Sequence, residues 1–190
     1  MDLALNALIA GVMLALVIHF SRAEGHWSPS RLIPAFRFFT VQSNVLCAFA
    51  ALLMCFFPQC SWVWMLKYVG TAAVTVTMLT VLLFLGPMAG FKRVMHGSDF
   101  IMHLVTPLLA LVSFCVYERR GLRFWPAMAG MLPVVLYGVL YGWKILLAKP
   151  PRRWDDFYGF NRTGKWYLSM AGMLAGSFLI CMGLMALQNL

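Results

Sequence analysis

The segment WVWMLKYVGTAAVTVTMLTVLLFL, residues 62 to 85, has one charged side chain, Lys67, among its 24 residues. An α-helix rises about 1.5 Å per residue, and a hydrocarbon core is roughly 30 Å thick. A helix of this length and apolar composition is therefore long enough to cross a lipid bilayer. The segment predicts a membrane-spanning helix.

The composition of the whole chain agrees with this interpretation. Hydrophobic residues make up 62% of the 190 residues and charged residues 11%, and the mean hydropathy is +0.81. A soluble domain has about 25% charged residues. We therefore predict an all-α, polytopic membrane protein whose residues 1–190 form one compact bundle of six spans. The predicted spans are Leu3–Phe20, Ala35–Phe57, Trp62–Leu85, Phe100–Tyr117, Phe124–Leu147 and Trp166–Leu187.

The net charge of +9 is distributed unevenly between the loops. Three basic residues lie on the face of the second and fourth loops, and ten lie on the face of the first, third and fifth loops. The ten are Arg22, Arg31, Arg37, Lys92, Arg93, Lys149, Arg152, Arg153, Arg162 and Lys165. The positive-inside rule then places the first, third and fifth loops in the cytoplasm. The same rule explains the positive charge without a nucleic-acid partner, and no basic aromatic module is present to bind one.

Metal and cofactor sites have little support in the sequence. The five cysteines include no CxxC pair, and four of them lie within apolar segments. Free cysteine in such segments behaves as a small apolar residue. We therefore expect no structural disulfide, no zinc site and no bound cofactor.

Polar residues are concentrated at the start of the second predicted span, in RFFTVQSNVL, residues 37 to 46. Arg37, Thr40, Ser43 and Asn44 recur at spacings of three and four, so they share one helix face. Asp99 and His103 share a face at the start of the fourth span, which runs in the same direction as the second. Counted from Pro34 and Ser98, Thr40 and His103 lie roughly 9 Å and 8 Å from the same membrane face. The two side chains can meet if their helices are neighbours.

A hydroxyl beside an imidazole is the minimum arrangement for nucleophilic catalysis on an ester. Thr40 would attack and His103 would accept its proton, while Asp99 would orient the ring and Asn44 would donate to the oxyanion. Each residue also has a simpler interpretation. Thr and Ser often bond to their own i−4 carbonyl, Asn often bridges helices, and a single His is often a hydrogen-bonded core residue. Arg37 can extend to the interface or hold a carboxylate or phosphate.

The motifs FFTVQSN and DFIMHLVTP, together with six spans, resemble a known family. It comprises the androgen-induced and androgen-dependent tissue-factor-pathway-inhibitor-regulating proteins and their bacterial six-span relatives. The residues that follow Thr40 (Gln42, Ser43 and Asn44) are similar to the bacterial version of the motif, which implies a bacterial inner membrane. Animal members are intramembrane threonine hydrolases of fatty acid esters of hydroxy fatty acids. The resemblance implies that Thr40 is the nucleophile, that His103 is the base, and that the substrate is a membrane lipid or fatty acyl ester.

Two other function classes remain open. The polar residues could line the site of a non-enzymatic lipid-binding or transport-type protein. A haem carrier could use His19 and His103, although cytochrome helices usually supply paired histidines at matching depths. Intramembrane protease motifs are absent from the sequence, which contains no GxSG, no HExxH and no paired Asp within a span.

The glycine motifs and the fifth loop lead to two further structural predictions. Gly138-x-x-x-Gly142 in the fifth span and Gly172-x-x-x-Gly176 in the sixth would allow helices to approach closely. The fifth loop, RRWDDFYGFNRTGKWY, is rich in aromatic residues, which concentrate at membrane interfaces. We expect this loop to anchor the protein at the interface rather than to cover a substrate.

Overall fold

A computed structural model describes residues 2–23, 26–28, 30 and 32–190. It confirms the prediction of an all-α polytopic bundle, and these described residues include six helices that are long and apolar enough to cross a membrane. These spans are Asp2–Ser21, Phe39–Phe56, Ser61–Ala89, Ser98–Tyr117, Phe124–Leu147 and Trp166–Gln188. Short helices cover Leu32–Ala35 and Phe91–Val94, and a minimal antiparallel pair joins Arg22–Ala23 to His26–Trp27. Of the ten basic residues counted above, Arg31 lies outside the described residues.

The second span begins at Phe39, four residues later than the predicted start at Ala35. The short helix Leu32–Ala35 precedes it, and Phe38 has an extended backbone conformation. Two side chains satisfy the backbone groups at this break. Tyr137 Oη donates to the carbonyl of Arg37 at 2.7 Å, and the N–H of Phe39 donates to Tyr158 Oη at 3.1 Å. Thr40 is consequently the second residue of the helix, and the unbroken helix from Pro34 on which our depth estimate depended is not present.

The third span is the centre of the bundle. It packs closely on the second span and also contacts the fourth, fifth and sixth. It is the most buried of the six, while the first and sixth spans are the least buried. Large apolar side chains such as Leu14, Phe49, Leu136 and Leu179 lie exposed on the outside of the bundle. Such a surface is suited to contact with lipid, as expected of an integral membrane protein.

A buried polar network joins three spans at the end of the bundle where the first and third spans begin. Lys67 is fully buried, and its ammonium group donates to Asn6 Oδ1 at 2.5 Å. Asn6 Nδ2 donates in turn to Glu118 Oε1, which also accepts from the hydroxyl of Ser113 at 2.8 Å. Asn6 thus bridges a buried cation and a buried carboxylate. The first, third and fourth spans are tied together at this end.

Removing one charge from this network should destabilise the protein more than removing both. A buried charge whose partner is lost costs about 3–5 kcal/mol, whereas apolar or neutral replacement of both partners is often close to neutral. We expect Lys67→Met and Glu118→Gln each to lower the melting temperature in detergent, and the double variant to recover most of the loss. Additive losses in the double variant would show that the two charges are not coupled.

Candidate active site

The structure brings Thr40 and His103 together. The hydroxyl of Thr40 lies 3.3 Å from Nε2 of His103, across the interface between the second and fourth spans. His103 is 8% exposed and Thr40 is partly buried. Thr40 also lies in the first turn of its helix, where backbone N–H groups have no intrahelical acceptors and the helix dipole favours negative charge. The pair therefore combines a hydroxyl, an imidazole and an environment suited to an anion.

The second ring nitrogen of His103 fixes its tautomer. Nδ1 lies 2.7 Å from the carbonyl oxygen of Val94, the last residue of the short helix Phe91–Val94. A carbonyl can only accept a hydrogen bond, so Nδ1 carries the proton of the neutral ring and Nε2 is the free acceptor. Thr40 must then donate to Nε2. This is the arrangement required for a base that removes the proton of a hydroxyl.

An irregular helical turn explains how His103 and its neighbours face the second span. Residues Ile101–Val105 form a π-helical turn, a feature that often occurs at functional sites. Pro107 has no N–H to donate to a carbonyl in the preceding turn. Asn44 supplies a donor instead, since its Nδ2 binds the carbonyl of Met102 at 3.0 Å and that of Thr40 at 2.8 Å. Asn44 therefore joins the two helices immediately beside the Thr40–His103 pair.

The remaining predicted site residues have other contacts. Asn44 uses both amide hydrogens on backbone carbonyls, so it has none left for the oxyanion role that we expected. The carbonyl of Val94, rather than the carboxylate of Asp99, binds the ring of His103 at Nδ1. Ser43 Oγ lies 3.1 Å from the carbonyl oxygen of Thr40 and 2.8 Å from the hydroxyl of Thr77. The guanidinium of Arg37 stacks 4.8 Å from the ring of Phe38.

His19, which we considered as a haem ligand together with His103, is exposed and has a ring contact with Phe20. No group of three His, Cys, Asp or Glu side chains within the described ranges is arranged to hold a metal ion. Neither observation adds a ligand to the site.

Tyr158 is a site residue that the sequence analysis did not identify. It lies in the fifth loop, and its hydroxyl accepts from Phe39 N–H next to Thr40. Thr40 and Tyr158 also line the same cavity. Burial raises the pKa of Tyr158 above its usual value, and the hydrogen bond from the Phe39 N–H offsets the rise in part. The sequence signal was the aromatic content of a loop on the same face as the pair, which we had assigned to anchoring.

The loop is held in place by a single carboxylate. Asp156 Oδ1 accepts from the hydroxyl of Tyr141 at 2.9 Å and from the N–H of Phe160 at 2.8 Å, while Oδ2 accepts from the N–H of Asn161 at 2.7 Å. Tyr141 Oη accepts in turn from Tyr158 N–H at 3.1 Å. The loop thus covers the start of the second span in a defined conformation, beyond the anchoring role that we expected.

A cavity of about 920 Å³ opens beside Thr40. Thr40 and Tyr158 are among its lining residues, and apolar residues of the third, fifth and sixth spans form most of the wall, with several Thr and Ser hydroxyls between them. Along the sixth span, the lining extends from Leu168 to Leu187, a helical length of roughly 28 Å at 1.5 Å per residue. The length and mainly apolar lining suit a long hydrocarbon chain.

The glycine motif of the sixth span lines this cavity, contrary to our expectation of close helix packing. A Cβ atom added at Gly172 or Gly176 would meet no atom within 4 Å. Gly142 of the fifth-span motif is equally unconfined, whereas a Cβ at Gly138 would come within 3.1 Å of Met170 and Met173. Close packing is therefore found at Gly138. In the sixth span the glycines provide space.

We compared the chain with protein-family models, with curated proteins and with solved structures, and found no match in any of these comparisons.

Filling the cavity should block uptake of a hydrocarbon chain. We expect Gly172→Leu to reduce crosslinking of a photoreactive long-chain fatty acid at least several-fold, because the new side chain extends into space that the chain would occupy. Gly11→Leu is the matched control, since Gly11 is exposed on the first span and a Cβ there also meets nothing within 4 Å. Equal crosslinking of both variants would show that the chain binds elsewhere.

Proposed function

We propose that this protein is an intramembrane hydrolase of lipid esters, with Thr40 as nucleophile and His103 as base. The observation that carries the proposal is the 3.3 Å contact between Thr40 Oγ1 and His103 Nε2, in the tautomer set by Val94. A threonine hydroxyl is a weak nucleophile unless a neighbouring base removes its proton. Here that base is present and oriented, although a main-chain carbonyl replaces the carboxylate that orients the ring in many triads.

The reaction takes place in two halves. Thr40 Oγ1 attacks the ester carbonyl carbon while His103 Nε2 accepts the hydroxyl proton, and the carbonyl electron pair moves to oxygen. Collapse of this oxyanion breaks the carbon–oxygen bond to the alcohol, which leaves with the proton from His103. Water, deprotonated by His103, then attacks the acyl-threonine carbonyl. The bond to Thr40 Oγ1 breaks, the fatty acid is released, and Thr40 takes back the proton from His103. Each half uses the same two side chains and needs no redox partner.

The cavity supports a lipid substrate. Its apolar length suits one long acyl chain, and because Thr40 is one of its lining residues, an ester within such a chain would be accessible to the Thr40 hydroxyl. The sequence resemblance suggests a fatty acid ester of a hydroxy fatty acid, which carries an ester within a long chain. This substrate class and the relationship to the androgen-induced family are part of the proposal.

A lipid-binding or transport role without chemistry is the second candidate, because the same cavity can hold a lipid that is never cleaved. The two functions differ in turnover. A binding protein would retain lipid in the Thr40→Ala variant and would release no fatty acid from any ester, with either Thr or Ala at position 40.

Activity-based labelling tests the hydrolase directly. We expect a lipophilic fluorophosphonate to label Thr40, and Thr40→Ala or His103→Ala to reduce labelling at least 100-fold, because each removes one half of the nucleophilic pair. Thr40→Ser should retain measurable labelling, since it keeps the hydroxyl. Thr71→Ala, which removes a buried hydroxyl of the third span that has no hydrogen-bond partner, is the control. Labelling that persists in both alanine variants would rule out the Thr40–His103 mechanism.

We further propose that the first, third and fifth loops face the cytoplasm, in a bacterial inner membrane, from the distribution of basic residues. A single cysteine placed at Asn161 in a cysteine-free background should then resist a membrane-impermeant maleimide in intact cells and react after permeabilisation. A cysteine placed at the exposed Arg119 should react in both conditions. The reverse pattern would invert the topology.

A further inference from the structure

The developing oxyanion needs a donor that the sequence analysis assigned to Asn44. Both hydrogens of the Asn44 amide are used by the carbonyls of Thr40 and Met102. His103 contributes none either in its resting state, because its one N–H donates to Val94. A charged tetrahedral intermediate in an apolar site gains more from a fixed donor than it would in water. Besides the backbone N–H groups of the first helical turn, a side chain from another element that reaches Thr40 can supply this donor.

The hydroxyl of Tyr158 has a proton in the right place. Its oxygen accepts from Phe39 N–H at 3.1 Å, which leaves its own O–H free to donate. Phe39 is the residue before Thr40, and Thr40 and Tyr158 both line the cavity, so the phenol and the Thr40 hydroxyl are neighbours. Because Thr40 directs its own proton to His103, its oxygen has a lone pair free to accept from Tyr158. After attack, the substrate oxyanion is two bonds from Thr40 Oγ1. A phenol that faces Thr40 Oγ1 before the attack is therefore within hydrogen-bonding distance of the oxyanion after it.

We propose that Tyr158 is a third catalytic residue, whose phenol donates a hydrogen bond to the oxyanion formed on attack by Thr40. No bond to hydrogen is broken in this step, because the phenol keeps its proton and only shifts its acceptor from Thr40 Oγ1 to the substrate oxygen. The inference rests on the proposed hydrolase function. It adds the fifth loop to the catalytic machinery.

The position of Tyr158 is fixed before substrate binds. Its backbone N–H donates to Tyr141 Oη, which is hydrogen-bonded to Asp156. Its ring also packs against Phe157 and Tyr141, with centroid distances of 4.6 and 5.3 Å. A donor that needs no reorganisation during the reaction is the most effective kind. Because burial raises the pKa of Tyr158, its phenol remains protonated at neutral and mildly alkaline pH.

Tyr158→Phe removes the donor and keeps the ring. Loss of one oxyanion donor typically lowers kcat by about 100- to 1,000-fold, and we expect a fall of this size in hydrolysis of a long-chain ester, with KM changed less than threefold. Tyr68→Phe is the matched control, since it removes a buried phenol that binds Ala127 away from the cavity. A kcat for Tyr158→Phe within threefold of that of the unsubstituted protein would overturn the inference.

A second variant separates catalysis from folding. Replacement of Tyr158 with 3,5-difluorotyrosine keeps the size of the ring and makes the phenol more acidic. An oxyanion donor must be protonated. The alkaline limb of the pH–activity profile should therefore have its midpoint at a lower pH than in the unsubstituted protein. An unchanged pH profile would overturn the inference. If the inference alone fails, Thr40→Ala still abolishes hydrolysis, whereas activity in Thr40→Ala means that the proposed function itself has failed.

Discussion

Two hydrogen bonds from the amide of Asn44 hold the second and fourth spans in the arrangement on which the candidate site depends. Pro107 leaves a carbonyl in the fourth span without its helical donor, and Asn44 reaches across to Met102. In a membrane such a carbonyl has no water to bind, so the interhelical contact is strongly favoured. The same amide binds the carbonyl of Thr40. One side chain therefore sets the relative position of the nucleophile and of the helix that carries the base.

The polar groups of this bundle are separated between its two ends. Lys67, Asn6 and Glu118 form a hydrogen-bonded network at one end, whereas Thr40, His103 and Tyr158 lie at the other. The first network joins three spans through Asn6, and Glu118 Oε2 is buried without a hydrogen-bond partner. The second leaves a hydroxyl and a phenol facing a cavity. Buried polar groups in a membrane protein therefore differ in function according to whether a space for a ligand adjoins them.

The fifth loop combines two properties that sequence patterns treat as alternatives. Its aromatic residues suit the membrane interface, and its internal hydrogen bonds to Asp156 give it a fixed shape over the start of the second span. A loop held in this way can place Tyr158 beside Thr40 as precisely as a helix could. The break between Leu32–Ala35 and Phe39–Phe56 is part of the same arrangement, because Tyr137 and Tyr158 satisfy its backbone groups.

The sequence by itself determined the class of fold, the six spans and the polar faces that carry Thr40 and His103, because apolar length and helical spacing are local properties. The contacts between helices and loops could not be predicted from the sequence alone. Three features depend on which helices are neighbours and on their relative positions along the bundle axis. They are the hydrogen bonds of the Asn44 amide, the binding of His103 by the Val94 carbonyl rather than by Asp99, and the open space beside Gly172 and Gly176. The position of Tyr158 depends on how a loop folds back. These were decided by tertiary packing, since none of them follows from the length or the periodic pattern of a single segment.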